Sequence, residues 1–310
     1  MKILMLSDND PAGCAILFRN AIEEYTEHSC RLITQSEKSC YSFEKDLHTQ
    51  YLSENNLKWG LIETLLKQSD IFHFHILSDE SMEIGPFKVK DFIKGKKIVH
   101  HHHGHPDFRA NPDKYRLKYQ KLKRKVLVST PDLLLGLPEA MWQPNCVPIN
   151  DPLYMPSEER YEEFTVGHSP TRLALKNTAE LIESANQAGV NVDIIMNTPH
   201  KECLRRKQKS HVIFDHLQGY YGVSSLEGLS MGKPIIARLS IQVRKHIRKF
   251  AETYKLPWIQ AKRSIAPKNW FEELDTSYLD YFERKSRNFM VNHWSDKKVV
   301  SRLIKFYETL

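Results

Sequence analysis

One acidic side chain, Glu227, stands in a segment whose spacing suits a phosphate-bearing ligand. Residues 210–239 read SHVIFDHLQGYYGVSSLEGLSMGKPIIARL. The apolar, β-branched runs 211–214 and 234–239 suit buried parallel strands covered on both faces. Between them the pattern predicts a short helix, with Gly232 and Pro234 as its stop. Gly219 and Gly222 precede that helix, where glycines let backbone N–H groups approach an anion held at the positive helix end. A diphosphate suits such a place. Ser224 lies three residues before Glu227, the spacing of a capping box, so in the plainer alternative Glu227 closes the box and the glycines only turn the chain.

Five histidines, His100, His101, His102, His103 and His105, crowd another stretch and carry donor atoms for a metal. A strand, however, points alternate members in opposite directions, and no matching Asp, Glu or Cys set stands nearby in the sequence. Lining of a binding cleft is therefore set ahead of metal binding, since functional groups gather at the carboxyl ends of parallel strands. His73 and His75, in FHFH, are expected to line or flank a sheet. Cys14, Cys30, Cys40, Cys146 and Cys203 are odd in number and widely spaced, with no Cys-x-x-Cys pair, so neither a disulfide framework nor a zinc site is indicated. The absence of a G-x-G-x-x-G fingerprint and of a P-loop weighs against a nicotinamide dehydrogenase and a kinase.

The elements that must position these groups alternate. Strands are predicted at 2–6, 30–34, 70–76, 97–101, 126–129, 165–168, 192–196, 211–214 and 235–239, with helical stretches between, the pattern of parallel α/β domains. The first helix is expected to take Asp10 as N-cap and Pro11 at its first position, with Ala15, Phe18, Ile22 and Tyr25 on one face. At 310 residues, 41% of them hydrophobic, the chain is long enough for two cores. The polar run 151–163, DPLYMPSEERYEE, with two prolines, is expected to link them. Val299, Leu303, Phe306 and Tyr307 fall at helical spacing near the end of the chain. The 129–134 and 142–145 runs are read as structural, a helix start and a turn.

The 210–239 segment resembles the C-terminal-domain signature of GT-B glycosyltransferases of the GT4 type. It carries Asp215-His216, Gly219-Tyr220-Tyr221-Gly222 and Glu227-Gly228-Leu229-Ser230-Met231-Gly232-Lys233-Pro234 in place of that family's Asp-Gln, Gly-Trp-Tyr-Gly and Glu-Ala-Met-Ala-x-Gly-Lys-Pro. The resemblance implies two Rossmann-like domains facing a central cleft and a C-terminal helix crossing back to the first. The domains are then 1–155 for the acceptor, 156–294 for the nucleotide-sugar and 295–310 for the crossover helix. It implies a retaining transferase moving a sugar from a nucleoside-diphosphate sugar, UDP- or GDP-linked, to a hydroxyl, with no metal or other cofactor required. Glu227 would hold ribose hydroxyls, and Gly219, Tyr220, Tyr221 and Gly222 would meet the diphosphate or sugar. Residues 167–178, GHSPTRLALKNT, are similar to the segment that delivers Arg172 and Lys176 to the diphosphate, where both would act in catalysis. An exposed loop decorated by two cations is the alternative. Gly13, in the 8–13 loop, would approach the donor or acceptor. His103, Gly104 and Arg109 resemble the family's strand ending in His-Gly followed by a loop with Arg, which lines the cleft on the acceptor side, His103 among the catalytic candidates. One departure is Gly219, where many relatives carry a second Glu that contacts the donor sugar.

The net charge of +7 is concentrated in 114–125, KYRLKYQKLKRK, and 244–249, RKHIRK. Such clusters attract anionic lipid headgroups or nucleic-acid phosphates, or simply form solvated helix faces. The resemblance implies a surface or lipid-linked glycan as the acceptor, and a basic helix could dock on an anionic membrane to reach it. Hydroxymethylated DNA is the rival acceptor, and a non-catalytic nucleotide- or nucleic-acid-binding module on a degenerate GT-B scaffold is the rival class. With neither a signal peptide nor a membrane-length apolar run, the expected location is the cytoplasm, with the inner membrane face as its periphery.

Overall fold

Ile3, Leu4, Met5 and Leu6 form one unbroken apolar run, and all four side chains are buried, as in a parallel strand covered on both faces. They lie on β1 (Lys2–Ser7), an interior strand of a sheet in a computed structural model that describes residues 1–37, 43–51, 56–261, 269–272 and 274–310. The first unit continues with α1 (Cys14–Tyr25), β2 (Ser29–Thr34), β3 (Leu47–His48), α2 (Asn56–Gln68) and β4 (Ile71–His75). After the small antiparallel hairpin β5 (Glu83–Ile84) and β6 (Phe87–Lys88) come β7 (Lys97–His102), α3 (Pro106–Ala110), α4 (Pro112–Leu122), β8 (Lys125–Val128) and β9 (Met141–Trp142). Seven of these strands pair in parallel in the order β3-β2-β1-β4-β7-β8-β9.

The second unit runs β10 (Thr165–His168), α5 (Thr178–Ala188), β11 (Asn191–Ile194), α6 (His200–Lys209), β12 (Val212–Phe214), α7 (Val223–Ser230), β13 (Ile235–Ala237), α8 (Ile241–Ala251) and β14 (Trp258–Gln260), then α9 (Asn269–Glu272) and α10 (Thr276–His293). Its five strands are also all parallel, in the order β11-β10-β12-β13-β14. Val166, Val212, Phe214 and Ile236 of the strands pack with Leu181, Ala185, Trp270 and Phe271 of the helices. The last helix, α11 (Asp296–Glu308), belongs to the first unit. There Val299, Leu303 and Tyr307 are buried, Gln143 Nε2 donates to the Val299 carbonyl at 3.0 Å and Arg302 Nη2 to that of Trp142 at 3.1 Å.

The units are Met1–Cys146 with Lys297–Leu310, and Val147–Asp296, so the division falls ahead of the polar 151–163 run. That run is committed to the second unit because Tyr154 is buried and Gln208 on α6 donates to the carbonyls of Pro152 and Met155 at 2.8 and 2.9 Å. The start of α1 also differs from expectation. Gly13, left-handed at φ 65°, is the N-cap, and the chain turns from Asp10 to Gly13 before the helix begins. Asp10 still serves the helix, its carboxylate accepting from the Ile16 amide at 2.9 Å, and burial pushes its pKa up to about 6. Cys14, Cys30, Cys146 and Cys203 are free thiols, and Cys40 lies outside the described residues. Among the described residues no helix is long and apolar enough to cross a membrane.

Candidate functional site

In the second unit Arg172, Lys176 and residues 219–222 sit on the stretches leaving the carboxyl ends of β10 and β12, where open parallel sheets place ligands, and Glu227 lies on α7 just beyond. Those stretches are tied together. Leu217 N–H donates to Asn177 Oδ1 at 3.0 Å, Gln218 Nε2 donates to the Leu175 carbonyl, and the hydroxyls of Ser169 and Ser224 are 3.0 Å apart. Lys176 thereby reaches the glycine-bearing loop, with Nζ 5.7 Å from the Tyr220 ring centre. Arg172 is exposed on the same stretch, before the short 3₁₀ turn Leu173–Leu175. Gly219 is left-handed at φ 92°, and its carbonyl accepts from the Ser240 amide at 2.8 Å.

Tyr220 and Tyr221 part company. Tyr220 is partly exposed, its hydroxyl 2.7 Å from Gln218 Oε1 and its ring 4.5 Å from that of His216. The Tyr221 side chain, expected at the donor, is instead fully buried, its ring 5.8 Å from Trp258 and 5.7 Å from Trp294. Adjacent residues leave an extended loop on opposite sides, and the aromatic core claims the second of the pair.

The helix α7 begins without the capping box. Gly222 is its N-cap, and Ser224 meets Ser169 rather than a backbone amide of its own helix. Asp215 takes the capping role, its Oδ2 accepting from Gly222 N–H and Ser225 Oγ–H at 2.6 Å each. A Cβ on Gly222 would lie 2.9 Å from Asp215 Oδ1, so this close approach requires glycine. Burial raises the Asp215 pKa, but His216, Lys176, the Ser225 hydroxyl and the Gly222 amide outweigh it and hold the group ionised. The Gly222 amide, expected to meet a diphosphate, is therefore already engaged by a carboxylate of the chain.

Glu227 is also free of the capping box and points at α6. His200 Nε2 lies 2.7 Å from its Oε1, and Lys207 Nζ 2.5 Å from its Oε2. Burial alone would raise this carboxyl, but the Lys207 ammonium and His200 bring it down to about 2, so Glu227 is an anion at neutral pH. His200 and Lys207 do not stand out in the sequence, and Asp215 stands out only as the match to the family's Asp-Gln pair, with no capping role. Residues 200, 204 and 207 share one helix face, and with Leu204 buried, Lys207 lies on the stripe that turns inward.

His168, at the end of β10, is buried neutral between the Phe214 carbonyl, 3.0 Å from Nδ1, and Thr178 Oγ1, 2.9 Å from Nε2. Burial lowers its pKa from 6.5 to about 4. The unfolded chain takes up this proton first, so the stabilisation is whole above pH 6.5 and lost as pH falls towards 4. We expect the denaturant midpoint of wild type to fall over that window more steeply than that of His168→Gln, by up to about 3 kcal/mol of stability. Parallel pH profiles would remove His168 as the cause.

In the first unit β7 ends at His102, and His103 and Gly104 follow. His103 Nε2 is 3.0 Å from His75 Nδ1. Arg109 lies on the short helix α3 rather than on a loop, reaching back with Nε to the Gly104 carbonyl at 3.1 Å and with Nη1 to Asp132 Oδ2 at 2.5 Å. Asp132, given no chemistry from the sequence, is thus its ionic partner. Gly13 faces the Phe43 ring, which leaves no room for a Cβ. Of the basic runs, α4 is largely paired: Lys114 with Asp107, Arg116 with Glu139, Lys118 with Asp79, and Arg124 just beyond it with Glu80. On α8, Arg244, Lys245, Arg248 and Lys249 have no acidic side chain within ion-pair distance among the described residues.

No protein-family model matches the chain, and no curated relative does. Solved structures do. The chain is similar over 100% of both lengths to Anabaena HepE in complex with UDP and glucose, at TM-score 0.68 and 12% identity. The fold is GT-B. It is shared with a glycosyltransferase from Rickettsia africae, at TM-score 0.63 and 12% identity over 99% of this chain and 98% of that one. A UDP-GlcNAc 2-epimerase from Neisseria meningitidis bound to UDP-GlcNAc matches at TM-score 0.53 and 13% identity over 100% of both chains. Two all-parallel sheet units, with the final helix returned to the first, are the GT-B features that this chain carries.

Proposed function

We propose that this protein is a retaining glycosyltransferase that moves a sugar from a nucleoside-diphosphate sugar to a hydroxyl acceptor. The observation that carries the proposal is Glu227, a buried carboxylate kept ionised by Lys207 and His200 in a GT-B second unit. Its two bonds use about half of a carboxylate's accepting capacity, which leaves places for ribose hydroxyls. Lys176 and Arg172 serve the diphosphate, offsetting the negative charge that grows on it as the glycosidic bond breaks. Gly219, Tyr220 and the Gly222 loop complete the donor side in the second unit. His103, Gly104 and Arg109 serve the acceptor. The leaving phosphate takes the acceptor proton as the new bond forms on the same face, so no paired carboxylates and no metal are needed for the step. UDP is the favoured nucleotide, since HepE and the epimerase were both captured with uridine nucleotides.

A surface or lipid-linked glycan is the favoured acceptor, met in the cytoplasm at an anionic membrane face. The cations of α8, without an acidic partner among the described residues, keep hydroxymethylated DNA as the second reading. A panel of UDP-, GDP-, ADP- and CMP-sugars with a lipid-linked glycan extract and hydroxymethylated duplex DNA tests all of this. Labelled sugar in glycan is the expected product, and label in DNA alone would replace that acceptor. Nucleotide binding with neither transfer nor hydrolysis would leave a non-catalytic module, and isomerised donor would mark an epimerase.

A further inference from the structure

We propose that His73, His75 and His101 bind one first-row transition ion, Zn²⁺ foremost, inside the first unit. This site is independent of the donor assignment. The sequence alone offered no partner set for the histidine run, because the partners lie on another strand. β4 and β7 are adjacent and parallel, with His75 in register with His101. His73 and His75, two residues apart, face the same side as His101; the His73 ring stacks on those of His75 and His101 at centroid separations of 4.2 and 5.4 Å, and the His75 and His101 rings are tilted to each other at 5.5 Å. His100 and His102 point to the other side, at 4.8 and 5.6 Å from the Tyr119 ring, as strand alternation requires.

All three are at most 1% exposed, and one ring nitrogen from each lies within 4.8 Å of the others. Their hydrogen-bond inventory is incomplete in an informative way. Tyr307 Oη lies 2.6 Å from His73 Nδ1, and His103 Nε2 lies 3.0 Å from His75 Nδ1. Among the described residues, Nε2 of His73, Nε2 of His75 and both nitrogens of His101 are buried with no hydrogen-bond partner. Unsatisfied buried nitrogens cost about 1–3 kcal/mol each, and native cores rarely tolerate several together. A metal ion would take one lone pair from each ring.

The bonds already present are those of an outer shell. An imidazole that ligates through Nε2 holds its proton on Nδ1 and donates it, and Tyr307 and His103 stand where those donations end. In that tautomer two of the three rings would present Nε2 to the ion. Desolvation keeps all three rings neutral, the form that binds metal. Closing to zinc–nitrogen bonds near 2.0 Å brings ligand nitrogens to about 3.3 Å, a contraction that rotation of the His101 ring can begin. An all-imidazole set selects zinc, copper, nickel or cobalt over the oxygen-seeking Mg²⁺ and Ca²⁺, and three ligands leave a fourth position for water or hydroxide.

The test uses full-length protein without a polyhistidine tag, stripped with chelator and titrated with Co²⁺ and then Zn²⁺. One equivalent should bind with the visible absorption of tetrahedral cobalt, displaced by Zn²⁺, and the X-ray absorption of the zinc form should show three imidazole nitrogens. His101→Phe should weaken binding by about 10²-fold or more. His105→Ala, at an exposed member of the same run, should leave it unchanged. No stoichiometric binding to wild type, or equal binding to His101→Phe, would overturn the site. The wild-type absorption spectrum decides the matter should that variant fail to fold, since fewer than two imidazoles on the zinc would also reject it.

Discussion

Glu227→Gln should destabilise the protein by about 3–5 kcal/mol, the cost of stranding a buried charge. Lys207 is 2% exposed, and its ammonium meets Glu227 at 2.5 Å in the interior of the second unit. An amide at 227 keeps the volume but leaves the lysine without its counter-ion. Role and stability would then be confounded, because weakened nucleotide binding could reflect either the lost carboxylate or a loosened helix. The double variant Glu227→Gln with Lys207→Met separates them. It removes both charges together, and apolar replacement of a buried pair is often neutral or stabilising, so most of the lost stability should return. Calorimetric binding of UDP-sugar should stay at least 10-fold weaker in the double variant if Glu227 holds ribose. Restored stability together with restored affinity would assign Glu227 to architecture alone.

Whether a residue's part was legible in the sequence depended on how local its determinants were. β1 could be read because a doubly buried strand announces itself as an apolar run, whereas β10, the predicted span 165–168, is the strand observed although TVGH carries a single hydrophobic side chain. The edge strands β3, β9 and β14 have two or three residues each and carry no such period. Glu227 and the glycines stood out by type and spacing, yet what binds Glu227 comes from α6, twenty and more residues earlier. Lys207 sits among KECLRRKQK, where composition suggests solvent and only the Leu204 face shows which lysine turns inward. Tyr220 and Tyr221 are alike in sequence, and only the packing of Trp258 and Trp294 decides which belongs to the core. The histidine run was visible, but its match at His73 and His75 required knowing that β4 and β7 are neighbours. Long-range pairing, in each case, supplied what local pattern could not.

Arg172→Ala combined with Lys176→Ala should lower turnover by about 10²–10³-fold, the loss typical of removing preorganised stabilisation of a developing negative charge. The single variants should differ in kind. Arg172 is exposed, so Arg172→Ala should leave the denaturant midpoint within about 0.5 kcal/mol of wild type. Any fall in its rate then reports chemistry or binding rather than folding. Lys176 rests 5.7 Å from the Tyr220 ring and helps to keep Asp215 ionised at the start of α7. Lys176→Ala should therefore cost about 0.5–1 kcal/mol of stability as well as rate. Lys176→Arg keeps the charge and the stacking but changes a compact ammonium for a planar fork, so it should recover stability more fully than turnover. If both cations act on the leaving diphosphate, kcat should fall more than KM rises, because the charge they meet is greatest in the transition state. A double variant with unchanged kcat would take both residues out of the chemistry, and a rise in KM alone would confine them to holding the donor.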